Sequence, residues 1–287
     1  MKEARFYTKT DDGVQCLLCP HRCKIREGGR GFCRSRECRG GKLYALSYGM
    51  PCALADDPVE KKPLNEFMRG TRCLSLSCTG CNLSCRWCQN SDISQVAPED
   101  ADHTHFPPEE VVGLCLRRGL PSIAYTYTEP FTWWEYMHDI AEIAHENGLK
   151  NILVSAGYVE KEPLQEFLSL LDAANIDIKA FDDGFYRRFC GASLSPVLKT
   201  ILAMKEAGVH VEITNLLVTG LNDSDEQVAK LCGWMRDNGL EDVPLHLSRF
   251  FPRHRMLDRE PTPKEILLRA REIAVSCGIR SVYLGNI

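Results

Sequence analysis

One short stretch of the sequence concentrates four cysteines at a spacing suited to an iron–sulfur cluster. The stretch reads C-T-G-C-N-L-S-C-R-W-C-Q-N and contains Cys81, Cys85 and Cys88 in the pattern C-x3-C-x2-C, with Cys78 just before them. Thiolates are soft, strongly donating ligands that suit iron–sulfur clusters. Three thiolates on a four-iron cube leave one iron open to a further ligand. The spacing therefore predicts a [4Fe-4S] cluster with Cys81, Cys85 and Cys88 as its ligands.

Two other interpretations of this loop stay open. If Cys78 is included, the pattern becomes C-x2-C-x3-C-x2-C, which suits a zinc site or a fully ligated electron-transfer cluster. The chain would then be a non-enzymatic iron–sulfur electron carrier or a zinc-organised interaction module. Alternatively, cysteines spaced four and three apart form one buried face of a helix.

A second group of cysteines lies near the N-terminus. Cys16, Cys19 and Cys23 surround His21 in C-L-L-C-P-H-R-C, and Cys33 follows after a glycine-rich stretch. Four thiolates and one imidazole can close a tetrahedral zinc site or hold a second iron–sulfur cluster. The sequence predicts a metal site here and does not decide between these two metals.

The cysteine content as a whole indicates metal binding in a reducing compartment. The chain has 15 cysteines in 287 residues, and in a reducing compartment metal sites explain so many cysteines better than disulfides do. We therefore expect a cytoplasmic protein. The remaining cysteines are scattered and are interpreted as small buried hydrophobic residues; they include Cys115, Cys190, Cys232 and Cys277.

Charge and hydropathy argue against two classes of partner. The 35 basic and 39 acidic residues are interspersed, which does not suit nucleic-acid binding or a polybasic membrane anchor. Residues 1–14 form no apolar signal segment, and no later stretch is apolar over the length needed to cross a bilayer. We expect a small molecule or another protein as the partner.

Two regions differ in their patterns. Residues 1–70 are rich in Gly, Arg and Cys without a sustained period, which predicts a small cysteine-organised module. From residue 71 to 287, six short apolar strands alternate with amphipathic helices, which predicts a parallel α/β sheet closed partly into a barrel. The predicted strands are 73–77, 122–127, 151–155, 176–179, 209–217 and 244–250, and the helices are 133–147, 164–174, 196–207, 225–238 and 262–277.

Polar residues follow the predicted strands at their carboxyl ends, where α/β barrels place their chemistry. Glu129 suits an ammonium group through a charge-assisted hydrogen bond, although it could instead stabilise the dipole of the next helix. Asp177 and Lys179 share one face of a strand and could form an ion pair. The last residue of this set is His246, which is either a binding residue or a hydrogen-bonded core histidine. Further candidates for lining a cavity, without assigned roles, are Ser155, Glu212 and Asn215.

The chain resembles the radical S-adenosylmethionine (SAM) superfamily. The loop G-C-N-L-S-C-R-W-C matches the superfamily's cysteine motif, with Trp87 at its aromatic position. More narrowly, the chain resembles the radical SAM member of the AmmeMemoRadiSam system, a relative of the pyruvate formate-lyase activating enzymes. That resemblance runs from about Cys16 to Asn286 and is carried by C-L-L-C-P-H-R-C, D-P-V-E-K-K-P-L, Y-T-Y-T-E-P, H-L-S-R-F-F-P and Y-L-G-N.

The resemblance implies a partial (β/α)6 barrel and a SAM site. Tyr127, Thr128 and Glu129 stand where activating enzymes carry a Gly-Gly-Glu motif that receives the SAM amino group. Asp177 and Lys179 resemble their Asp-Leu-Lys segment beside SAM, and His246 corresponds to a histidine that contacts it. No catalytic side chain beyond the cluster ligands is implied.

The implied reaction is reductive cleavage of SAM at the [4Fe-4S] cluster to a 5′-deoxyadenosyl radical, which abstracts hydrogen from a substrate. The resemblance implies an oxygen-sensitive, oxidoreductase-like enzyme that needs a low-potential electron donor. Its target is either a glycine of a glycyl-radical enzyme or a residue or metabolite handled with Memo-like and AMMECR-like partner proteins. Members of this family often continue into a C-terminal cysteine-rich ribbon, which this sequence does not contain.

Overall fold

The N-terminal part of the chain forms two small antiparallel sheets in the computed structural model, which describes residues 1–287. The strands are β1 (Lys2–Glu3), β2 (Tyr7–Thr10), β3 (Gly13–Cys16), β4 (Lys24–Arg26), β5 (Arg36–Arg39) and β6 (Lys42–Ala45). One sheet has the order β2-β3-β4 and the other β1-β6-β5. Strands of two to four residues are too short to produce a sustained period in the sequence.

The main sheet has eight strands, of which seven run parallel. They are β7 (Ala53–Pro58), β8 (Arg72–Ser77), β9 (Ser122–Tyr125), β10 (Lys150–Ser155), β11 (Ala173–Asp177), β12 (His210–Leu217), β13 (Leu245–Arg249) and β14 (Val282–Gly285). The order is β14-β13-β12-β11-β10-β9-β8-β7, and β7 alone pairs antiparallel, with β8. Five of the predicted strands are therefore confirmed as β8, β9, β10, β12 and β13. The sixth, 176–179, overlaps β11 by only two residues, and the two edge strands are additional.

Helices connect the parallel strands. They are α1 (Ser91–Ser94), α2 (Pro108–Arg117), α3 (Trp134–Glu146), α4 (Lys161–Leu168), α5 (Asp183–Phe185), α6 (Leu194–Glu206), α7 (Asp225–Asp237) and α8 (Lys264–Ser276), with 3₁₀ turns at Val59–Lys61, Pro98–Asp100 and Pro130–Trp133 and a π turn at Tyr186–Cys190. None of the helices is both long and apolar enough to span a lipid bilayer.

One predicted helix was wrong in its position. The prediction placed a helix at 164–174, but α4 ends at Leu168 and the next strand begins at Ala173. Residues 173–176 are all buried, as is usual for an inner strand of a parallel sheet. Such a strand shows no alternation that would distinguish it from a buried helix.

The N-terminal sheets and the main sheet share one hydrophobic core. Val14, Leu18 and Ile25 belong to the same cluster of buried side chains as Leu76 and Ile176. The strand β7 lies within the predicted module 1–70, yet it pairs with β8 of the main sheet. The division at residue 70 stays a prediction, and the main sheet itself begins at residue 53.

Candidate functional site

A cavity of about 290 Å³ opens at the carboxyl ends of the parallel strands. Each of the seven parallel strands contributes a lining residue from its carboxyl-terminal half or from the loop that follows it. Lining residues that the sequence analysis had proposed are Cys81, Cys85, Trp87, Cys88, Thr128, Glu129, Ser155, Asp177 and Lys179. The fold therefore brings most of the predicted site residues together from loops that are far apart in sequence.

The cysteine loop separates Cys78 from the other three cysteines. Cys81, Cys85 and Cys88 line the cavity, whereas Cys78 does not. Cys78 is fully buried, and its thiol donates a hydrogen bond to the Ser47 carbonyl over 3.5 Å. This arrangement matches a set of three thiols facing one space.

Cys190 lies against the cysteine loop, a contact that the sequence analysis did not predict. The Ser84 N–H donates to the Cys190 carbonyl over 2.8 Å, and the Arg86 N–H donates to the Phe189 carbonyl over 3.1 Å. These two bonds place Cys190 beside Cys85, and the neighbouring Cys190 thiol lowers the pKa of the Cys85 thiol. Cys190 ends the π turn, a feature common at functional sites. In the sequence it looked like one more scattered cysteine.

Glu129 is a buried carboxylate that faces the cavity. It accepts hydrogen bonds from the Ser155 hydroxyl over 2.7 Å, the Ala156 N–H over 2.9 Å and the Phe131 N–H over 3.2 Å. Burial raises the pKa of Glu129 to about 7, and these hydrogen bonds oppose the rise. The bond from Phe131 also caps the 3₁₀ turn that begins at Pro130, so Glu129 supports the local backbone as well as lining the cavity.

The turn before Glu129 holds a residue in an unusual backbone conformation. Tyr127 has φ of 66°, in the left-handed region that favours glycine. Its hydroxyl donates to Asp57, its ring lies 4.6 Å from the Lys62 ammonium, and its carbonyl accepts from Asn90 over 2.8 Å. These contacts hold Tyr127 in a conformation that glycine adopts more readily.

Asp177 and Lys179 form an ion pair at the cavity wall. The Lys179 ammonium lies 2.8 Å from the Asp177 carboxylate. Burial disfavours the charged lysine, but Asp177 and Cys85 outweigh this effect and raise the pKa of Lys179. The side chain therefore stays positively charged beside the cysteine loop.

A buried polar group behind the cavity comes from the D-P-V-E-K-K-P-L motif. Asp57 accepts from Lys61 over 2.7 Å, from Lys62 over 2.6 Å and from Ser75 over 2.8 Å. Both lysines line the cavity together with Asn90. These residues had no predicted role, because only the folded sheet brings β7 next to the cavity.

His246 does not reach the cavity. Its imidazole bonds the Glu212 carboxylate over 2.6 Å and stacks on Tyr283. Glu212 also accepts from the N–H groups of Asn65 and Glu66. Ser248, two residues further along the same strand face, lines the cavity instead. His246, Glu212 and Asn215 are absent from the cavity lining, and the role of His246 as a SAM contact stays a prediction.

The N-terminal cysteines lie outside the cavity, but their module packs on the cysteine loop. The Cys33 carbonyl approaches Gly80 so closely that a Cβ atom there would lie 2.5 Å from it. The His21 ring bonds the Asn82 carbonyl over 2.7 Å. Gly80 and Asn82 flank Cys81, so the module supports the loop on both sides of its first cavity-facing cysteine.

Comparison with known proteins gives the family. Residues 76–235 match the model of the Radical SAM superfamily. An uncharacterized protein of Methanocaldococcus jannaschii is 46% identical over the whole chain and 86% of its own length. A pyruvate formate-lyase-activating enzyme of Clostridium pasteurianum is 27% identical over 58% of this chain and 71% of its own. The structure of Streptococcus suis SuiB bound to S-adenosylmethionine has the same fold, with a TM-score of 0.57 at 14% identity over 74% of this chain and 51% of SuiB.

Proposed function

The chain belongs to the radical SAM superfamily, and on this premise we propose that it cleaves SAM reductively and directs the resulting 5′-deoxyadenosyl radical to a substrate. One observation supports this best: three cysteine thiols and one buried carboxylate face the same cavity. The group that the family implies is a [4Fe-4S] cluster, which supplies the electron when bound. The residues present fit it, since three thiols of the cysteine loop line the cavity and Cys78 of the same loop does not.

The proposal assigns roles to the lining residues. Cys81, Cys85 and Cys88 hold the cluster, and Glu129 receives the SAM ammonium through a charge-assisted hydrogen bond. Lys179 lies near the thiolates and offsets their negative charge. Trp87, Thr128 and Asp177 complete the wall of the cavity, and the partial (β/α)6 barrel of the family is part of this proposal.

The substrate remains the open part of the proposal. Homology to pyruvate formate-lyase activating enzymes favours a glycyl radical on a partner enzyme as one target. The motifs shared with the AmmeMemoRadiSam system favour a second, a residue or metabolite handled with Memo-like and AMMECR-like proteins. In either case we propose a low-potential electron donor, an oxygen-sensitive enzyme and a cytoplasmic location. The N-terminal cysteines add a metal, either zinc or a second cluster.

Anaerobic reconstitution with iron and sulfide tests the proposal. After reduction with dithionite, we expect the chain to convert SAM into 5′-deoxyadenosine and methionine. Cys85→Ala abolishes this activity, whereas the matched variant Cys78→Ala keeps it because the Cys78 thiol lies outside the cavity and hydrogen-bonds the Ser47 carbonyl. A reconstituted chain that leaves SAM intact, or an equal loss in both variants, contradicts the proposal and favours an electron carrier with a fully ligated cluster.

A further inference from the structure

Four thiols of the N-terminal module form a second group that the SAM site does not use. Cys16, Cys19 and Cys33 are buried, and the Cys16 N–H donates to the Cys23 carbonyl over 2.9 Å. A Cβ atom at Gly31 would lie 3.8 Å from the sulfurs of both Cys23 and Cys33. The four thiols therefore surround a common space.

A buried arginine beside these thiols lacks one hydrogen-bond partner. Arg36 is 1% exposed; its Nη2 donates to Glu135 over 2.6 Å and its Nε donates to the Thr132 carbonyl over 3.3 Å. Its Nη1 has no partner. Burial alone would lower the pKa of Arg36, but the charges of Glu135, Cys16 and Cys33 raise it. An unpaired buried donor is costly, and negatively charged metal-bound thiolates would give this cation acceptors.

The spacing of the thiols distinguishes between the two metals. A tetrahedral zinc with Zn–S bonds of about 2.3 Å holds its thiolates about 3.8 Å apart. No three of these thiols lie within 4.8 Å of one another; the group that meets this spacing is His138, Asp139 and Glu142 in α3. Cys81, Cys85 and Cys88, the predicted ligands of a four-iron cluster, likewise do not all lie within 4.8 Å of one another.

We propose that Cys16, Cys19, Cys23 and Cys33 bind a second four-iron cluster, and that Arg36 donates hydrogen bonds to its thiolates. The Phe32 N–H already donates to the Cys23 sulfur over 3.4 Å, and such N–H groups stabilise bound thiolates. Four thiolates complete the ligation, so this cluster has no open iron for SAM. Its ligand Cys33 is the residue that packs on Gly80, so the cluster also stabilises the loop that precedes Cys81.

The proposal does not rest on the function of the cavity, and the test keeps the two apart. The triple variant Cys81→Ala/Cys85→Ala/Cys88→Ala is expressed anaerobically, and its iron, acid-labile sulfide and zinc are counted. We expect about four irons and about four sulfides per chain, against about eight of each in the unmodified chain, together with the Mössbauer spectrum of a four-iron cluster. Because its N-terminal cysteines are intact, this variant is informative even if variants of the module fail to fold.

The controls lie within the same module. Adding Cys19→Ala and Cys33→Ala to the triple variant should remove the remaining iron. Adding Cys38→Ala instead should leave it, because that buried thiol contacts Glu27 and not the group of four. One zinc per chain without iron in the triple variant, or no metal at all, would overturn the second cluster.

Discussion

Glu129 combines burial with a position on the cavity, and this makes its charge sensitive to pH. Its pKa is raised to about 7 by burial, so the carboxyl group is largely protonated at pH 6 and largely ionised at pH 8. Only the ionised form attracts the SAM ammonium. Lys179 keeps its charge over this range because its own pKa is raised.

The first prediction is that SAM binds more tightly as the pH rises from 6 to 8, by up to roughly tenfold. In Glu129→Gln this pH dependence should disappear, and at pH 8 the affinity should be lower by about 1 to 2 kcal/mol. Anaerobic calorimetric titration of the reconstituted chain measures both effects, with the exposed Glu146→Gln as the control. Equal pH slopes in the unmodified chain and in Glu129→Gln would remove Glu129 from the SAM site.

Stability does not separate the two roles of Glu129. Both of its carboxylate oxygens accept from N–H groups, those of Phe131 and Ala156. A glutamine must turn its own NH₂ group toward one of these donors, which costs about 1 to 3 kcal/mol. Glu129→Gln therefore melts lower whether or not it binds SAM, and the binding measurement alone decides.

The second prediction is that Cys190 shifts the midpoint potential of the cluster through its interaction with Cys85. A hydrogen bond to a cluster thiolate stabilises the reduced, more negative state. Cys190→Ala should therefore make the midpoint potential more negative by roughly 20 to 60 mV, the equivalent of about 0.5 to 1.5 kcal/mol for one electron. Iron content should not change, and Cys190→Ser should keep most of the effect because its hydroxyl donates. A potentiometric titration followed by EPR checks this, and loss of the cluster in Cys190→Ala would make Cys190 a ligand instead.

At the scale of elements, the sequence predicted the inner strands and missed the edges. The inner strands are short apolar runs between helices, a pattern that is clear without a structure. The edge strand β7 reads A-L-A-D-D-P; charged residues and proline are common on sheet edges and mask the strand signal. At the residue level, motif spacing found the cysteines and Glu129, whereas Cys190 and Lys62 reach the site only through long-range packing.

The third prediction concerns Asp57 in the edge strand β7. Its carboxylate helps to hold the turn at Tyr127. Lys62→Met leaves the buried Asp57 carboxylate without its buried partner and should lower the free energy of unfolding by about 3 kcal/mol. Lys61→Met should cost under about 1 kcal/mol, since Lys61 is 62% exposed although it contacts the same carboxylate. Urea unfolding of the two variants tests the difference. Equal costs would show that Asp57 does not depend on a buried cation.

At the scale of the whole molecule, the N-terminal module is attached to the main sheet by a buried ion pair. Arg36 in β5 and Glu135 in α3 are each 1% exposed and lie 2.6 Å apart. Glu135 also accepts from the Arg5 N–H over 3.0 Å. No local pattern reveals such a pair, because its members are 99 residues apart and meet only when the module packs on the helix. The shared hydrophobic core leads us to expect one cooperative unfolding transition.

The last prediction separates two effects of losing Arg36: the loss of packing around its guanidinium and the cost of leaving the Glu135 charge unpaired. Arg36→Met leaves Glu135 buried without its cation and should cost about 3 to 5 kcal/mol in the metal-free chain. Adding Glu135→Gln removes the uncompensated charge and keeps an oxygen for the Arg5 N–H, so the double variant should regain most of the loss. Urea unfolding of the metal-free proteins measures both. If the double variant stays as unstable as Arg36→Met, packing around the guanidinium and not its charge joins the module to the sheet. If the double variant recovers when metal-free but loses iron from the N-terminal site, Arg36 serves the thiolates as well as Glu135.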